Sequence, residues 1–224
     1  MSAALLQHQF ASLLTWQLPP LPDFVPTGIP DIDSATGGLP RGALTEIVGP
    51  ASSGRTSLLH SILAGAAARD EVCALVDAED AFSPHDASVA ANAAGANLHR
   101  LLWVRCAHNA EHALKATDLL IQGGGFGLVI LDLGDTPPAS ARRISLTSWF
   151  RLRRAVEHTP TVFIALSRQS NARTCASLVI ECSRANASWS GTHGVSRLLR
   201  AGEFRALATY RRKQCTPVFT ATAI

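Results

Sequence analysis

Gly49-Pro50-Ala51-Ser52-Ser53-Gly54-Arg55-Thr56 follows the phosphate-loop pattern G-x-x-x-x-G-K-[ST] in every fixed position but one. In such a loop the glycines let backbone N–H groups curl round phosphate oxygens. The helix that follows points its positive end at them. Residues Gly49, Pro50, Ala51, Ser52, Ser53, Gly54, Arg55, Thr56 and Ser57 are therefore the candidate nucleotide-binding set. Thr56 would offer its hydroxyl to Mg2+. Arg55 stands where the pattern has lysine. The charge is kept, but a guanidinium is longer, planar and forked, so the exchange is not conservative in a tight cradle. Phosphate binding tolerates such a change better than transfer of a terminal phosphoryl group, which depends on close electrostatic positioning.

Two carboxylates complete the candidate chemistry. Asp132 ends the apolar run Leu128-Val129-Ile130-Leu131, a placement suited to holding Mg2+ through water. Glu79 lies two residues beyond a strand ending in Asp77 and is the candidate catalytic residue, orienting an attacking water. The cofactors implied are ATP and Mg2+. The competing reading is a Gly/Ser turn with no ligand. His108-Asn109-Ala110-Glu111-His112 has the H-x-x-E-H spacing of an inverted zinc-protease motif, but no third ligand is signposted.

The elements that must position these residues alternate. Short apolar runs at 43–48, 72–76, 101–104, 128–131 and 161–166 read as strands, with 178–182 and 204–210 after them. Helices are expected over 56–68, from an N-cap at Ser83 to about residue 94, from a cap at Asn109 to near 122, and as one long helix over 140–158. Continuous apolar strands separated by helices predict an α/β fold, a mainly parallel sheet covered on both faces. Ligands in such sheets bind beyond the carboxyl ends of the strands, where Gly49, Asp77 and Asp132 fall. Residues 3–16 have helical apolar spacing, and Pro19, Pro20, Pro22 and Pro26 make an extended arm. The expected organisation is thus an N-terminal helix and Pro-rich linker over 1–26, and one core domain over 27–224.

The chain has 224 residues, 47% of them hydrophobic and 17% charged, which excludes a disordered protein. Five scattered cysteines and the lack of a basic, apolar leader point to reduced thiols in the cytoplasm. The net charge of +3 hides an asymmetry. Up to position 138 there are 14 acidic and 6 basic residues, and after it 3 acidic and 14 basic. Nearly all the basic residues are arginine, which suits forked contacts to phosphates or carboxylates. Arg142, Arg143, Arg151, Arg153 and Arg154 lie on or near one expected helix. Trp149 and Phe150 interrupt them, either as stacking groups or as that helix's apolar face.

Several of these segments together resemble the bacterial RecA core. They are Thr27-Gly28, Gly37 to Gly42, Glu46 to Thr56, Asp77 to Pro84, Asn171-Ala172, Ala176 to Glu181, and Tyr210 to Lys213 with Pro217. The resemblance implies a RecA-like phosphate-loop fold and assigns the catalytic glutamate to Glu79. It also makes Arg211 and Lys213 the basic residues that reach a neighbour's nucleotide. Asp86 falls where RecA stacks a tyrosine on adenine, and Arg168 where a glutamine senses the terminal phosphate. The segments after Asp132 and after Arg168 are too short for RecA's two DNA-binding loops, and the sequence stops where RecA continues into its C-terminal domain.

A short RecA relative with an altered phosphate loop is similar to ImuA, a RecA-related accessory family of damage-induced mutagenesis. That similarity implies an adaptor in the SOS response and translesion synthesis. Its partners would be an ImuB-like polymerase homologue and an error-prone polymerase. RecA, DNA through the basic half, and a second copy of the chain are further candidates. The alternative is a DNA-stimulated ATPase that remodels a repair complex. A recombinase or a cell-division inhibitor is a more distant reading.

Overall fold

The computed structural model describes residues 24–189, 199–210 and 213–222. The expected helix over 3–16, nearly all of the Pro-rich arm, and Arg211 lie outside them, as does the side chain of Lys213. The elements run β1 (Phe24–Val25), α1 (Pro30–Thr36), β2 (Leu39–Pro40), β3 (Ala43–Val48), α2 (Arg55–Ala68), β4 (Cys73–Asp77), α3 (Pro84–Ala93) and β5 (Leu101–Arg105). They continue with α4 (Ala110–Gly123), β6 (Leu128–Asp132), α5 (Pro138–Ala141), α6 (Leu146–Val156), β7 (Val162–Ser167), β8 (Leu178–Trp189), β9 (Leu199–Tyr210), β10 (Lys213–Cys215) and β11 (Val218–Thr222).

β1 and β2 form a small antiparallel pair. The main sheet has nine strands in the order β10-β9-β8-β3-β7-β6-β4-β5, with β11 also on β9. From β8 to β5 every pairing is parallel; β9, β10 and β11 add an antiparallel margin. The fold is thus α/β with a mostly parallel central sheet, as the apolar pattern implies. Strand periodicity divides the core into two layers. Leu75, Leu128, Ile130, Val162 and Ile164 face the layer that holds Leu58, Leu59 and Ile62 of α2. Val76, Val129, Leu131 and Phe163 face the opposite layer with Trp149, Leu152 and Val156 of α6. Trp149 is thereby a core residue, while Phe150 is exposed.

Local sequence explains the helix starts. Ser83 accepts from Asp86 N with Pro84 at the first helical position. Asn109 accepts from both Glu111 N and His112 N. The long helix expected over 140–158 is instead two helices, α5 and α6. Ser145 takes an extended conformation and caps α6 by accepting from Ser148 N at 3.1 Å. Ile144 packs on the core beside it, so the capped break is stabilised on both counts.

The last two strands of the pattern are also longer than the apolar runs over 178–182 and 204–210. β8 and β9 are antiparallel strands of twelve residues each, whose register shifts at Arg184/Asn186 and again at Ser188/Trp189. The outer half of β8, residues 183–189, is largely exposed on both faces, which hides it from a hydrophobicity pattern. Cys73, Cys106, Cys175 and Cys182 are buried free thiols. Burial pushes Cys73 and Cys182 up to about 12, so both stay protonated. No helix among the described residues is long and apolar enough to cross a membrane.

Candidate nucleotide site

The parallel register brings the candidate residues to one rim. Asp77 pairs with Asp132, Asp132 with Leu166, and Val48 with Ser167. β3 then turns into the loop at Gly49, whose N–H donates to Ser167 O at 3.2 Å. Gly54 precedes α2 at φ +92°, a conformation that strains any residue with a Cβ, and a methyl there would stand 2.6 Å from Phe204 Cγ of β9. Gly54 makes no side-chain cap, so the first N–H groups of α2 have no side-chain acceptor in the helix.

Above this loop lies a hollow of about 270 Å³. Ser52 to Ser57 form one wall, and Arg184, Trp189 and Phe204 of the hairpin form the other. Ser53 and Arg55, both more than nine-tenths buried, line it. Ser53 Oγ, Arg55 Nε and Arg55 Nη1 are buried without hydrogen-bond partners. Buried polar atoms are normally satisfied, so these orphans mark room for an acceptor: Ser53 Oγ on the loop wall, and the Arg55 nitrogens toward the end of β6. Thr56 is exposed.

Arg55 reaches away from the loop toward the end of β6. Its Nη2 donates to Gly134 O at 3.3 Å, and Arg168 Nε donates to the same oxygen at 3.2 Å. A methyl on Gly134 would stand 2.9 Å from both Arg55 Nη1 and Asp132 Oδ1, so the guanidinium and the carboxylate flank one point. No ion pair joins them among the described residues. Burial lowers the Arg55 guanidinium from its usual range, opposed by the charges of Asp132 and Asp135. Asp132, which accepts from Gly134 N at 2.7 Å, is pushed up to about 6, chiefly by burial and further by Asp77.

A raised carboxyl binds its proton more tightly folded than unfolded. Its effect favours folding below the ordinary aspartate range and is lost as pH climbs from about 4 to about 6. Asp132→Asn is expected to raise stability at pH 7.5 by on the order of 2 kcal/mol and to leave it unchanged at pH 4. Urea midpoints at the two pH values check this; an equal effect at both would contradict it.

Glu79 is held by its neighbours rather than by the hollow. Asp77, fully buried, accepts from Glu79 N and Ala81 N at 3.2 Å, from Phe82 N at 2.9 Å and from Trp103 Nε1 at 3.3 Å. Asp80 pairs with Arg105 at 3.0 Å. The Glu79 carboxylate meets His108 Nδ1 at 2.9 Å. Ala107 and His108 both sit at positive φ, so the turn that delivers the imidazole is strained. The zinc-like spacing of 108–112 thus supplies a partner for Glu79. Neither Glu79 nor Asp132 lines the hollow over the loop.

One organiser escaped the sequence reading. Glu46, in the middle of β3 and fully buried, accepts from Asn171 N and Ala172 N at 2.8 Å and from Ser170 Oγ at 2.6 Å. It ties down the segment after β7. An acid inside an apolar strand is the signal that marked it, because a buried carboxylate must be hydrogen-bonded.

The profile of the RecA N-terminal domain matches residues 22–138, from before β1 to α5. The chain belongs to the RecA N-terminal-domain family. Against the RecA protein of Methylococcus capsulatus it is 43% identical over 112 residues, 49% of this chain and 31% of that one. Against RecA of Chloroflexus aurantiacus it is 32% identical over 160 residues, covering 64% and 44%. For RecA of Deinococcus radiodurans the identity is 34% over 160 residues, covering 64% and 43%. The chain therefore spans less than half the length of these RecA relatives. RecA kinship implies ATP and Mg2+ in general. The groups present here fit a phosphate, through the orphaned loop donors. They do not fit a divalent cation, because the carboxylate offered to it already faces the Arg55 guanidinium.

Proposed function

We propose that this RecA-family chain is an accessory protein of the DNA-damage response that works as an adaptor around a degenerate nucleotide site. In this reading it serves SOS mutagenesis and translesion synthesis beside an ImuB-like polymerase homologue and an error-prone polymerase. The observation that carries the reading is Arg55. It stands in for the phosphate-loop lysine, yet one arm is spent on Gly134 O and the charge is set against Asp132. Phosphoryl transfer needs a cation positioned on the terminal phosphate, whereas simple binding does not.

Two further features support an adaptor. The segment after β7 is short and fastened by Glu46, leaving no extended loop there to grip single-stranded DNA. On the opposite layer the Arg151–Asp118 pair, at 3.4 Å, links α6 to α4, and the same two helices expose Leu119, Leu146 and Phe150. Exposed large apolar side chains on neighbouring helices suit a protein partner. RecA itself, DNA, and a second copy through Arg211 and Lys213 remain candidate partners.

The ATPase reading has one observation in its favour: Asp77 holds the Glu79 loop in a fixed conformation at the rim. ATP turnover by the purified chain, with and without single-stranded DNA, separates the two. The expected rate equals that of Glu79→Gln. A DNA-stimulated rate abolished in Glu79→Gln would establish the enzyme instead. Retention of an ImuB-like homologue on the immobilised chain, weakened by Leu119→Asp with Phe150→Asp, is the expected positive result.

A further inference from the structure

We propose that Arg55 takes the place of the metal ion, so that the loop binds the phosphate tail of a nucleotide without Mg2+. This rests on the nucleotide reading of the site and deepens it. In a phosphate loop the divalent ion neutralises phosphate oxygens and is anchored by the carboxylate at the end of the neighbouring strand. Here the carboxylate is Asp132, and the positive charge set beside it is the Arg55 guanidinium, which shares with it the point above Gly134.

The guanidinium is also equipped to reach the ligand. Arg55 is among the residues lining the hollow and is 8% exposed; its guanidinium lies at Gly134 and keeps Nε and Nη1 buried and unpartnered after Nη2 is committed to Gly134 O. A forked cation with two free N–H directions suits a phosphate oxygen pair better than an ammonium does. Ser53 Oγ, on the loop wall, is a third unpartnered group. At about 270 Å³ the hollow matches a phosphate tail rather than a whole nucleotide, so the anion supplies most of the recognition.

Calorimetric titration of the full chain with ADP, and separately with pyrophosphate, in millimolar Mg2+ or in EDTA, tests this. Wild-type affinity is expected to change less than about twofold on chelation, whereas Arg55→Lys loses about tenfold in EDTA and recovers when Mg2+ is restored. Tighter binding of ADP than of pyrophosphate would identify the nucleotide as the source of the phosphate; the reverse would identify a free polyphosphate and overturn that part. Wild-type binding that appears only with Mg2+ overturns the role given to Arg55 while leaving a nucleotide site in place. No binding of either ligand in any condition overturns the nucleotide reading itself. The wild-type comparison stands even if Arg55→Lys does not fold.

Discussion

Glu46→Ala is expected to destabilise the chain by about 3–5 kcal/mol, because one buried and one partly buried N–H group lose their acceptor at roughly 1–3 kcal/mol each, with Ser170 adding to the loss. At about 2–4 °C per kcal/mol for a domain of this size, the melting temperature should fall by roughly 10 °C. Glu46→Gln separates the hydrogen bonds from the charge. Oε1 serves both backbone donors, and a glutamine carbonyl there keeps them. The new amide then faces Ser170, whose hydroxyl can turn to accept. Glu46→Gln should therefore cost under about 1 kcal/mol. Urea unfolding of the three proteins decides the matter, and trypsin should cut the alanine variant first near Arg168 and Arg173. An alanine variant as stable as the glutamine one would show that the buried carboxylate does not hold this segment.

Asp77 makes the opposite case, in which the conservative change is nearly as damaging as the drastic one. Each oxygen accepts twice: Oδ1 from Glu79 N and Ala81 N, Oδ2 from Phe82 N and Trp103 Nε1. Asparagine supplies one acceptor and turns a donor toward two donors. Asp77→Asn should cost about 2–4 kcal/mol, and Asp77→Ala a similar amount. The indole of Trp103 gives a local readout, since its lost partner should shift its emission before global unfolding. Unchanged stability in Asp77→Asn would mean that the Glu79 loop is shaped by its other contacts. The ATPase reading would then lose the one feature that favours it.

The helix-opening loop and the parallel sheet were both legible in the residues, and for related reasons. Both depend on short-range patterns: glycines at fixed spacing, apolar runs of strand length, and caps such as Ser83 and Asn109. The break between α5 and α6 was legible in principle, since Ser145 is a cap, but the helical apolar spacing over 140–158 outweighed it. The outer half of β8, residues 183–189, was not legible, because it buries neither face and so carries no alternation.

The partners of the charged groups lay beyond any pattern. That Arg55 would meet Gly134 and flank Asp132, that His108 would close on Glu79, and that Glu46 would gather residues 170–172 are all contacts between distant segments. Spacing along the chain names such groups but not their partners, because a side chain's direction depends on which strands lie side by side. The amino-acid order alone determined that a loop of the phosphate-loop pattern would open a helix at the carboxyl rim of a parallel sheet. Only the tertiary packing decided that its guanidinium would stand beside the Asp132 carboxylate.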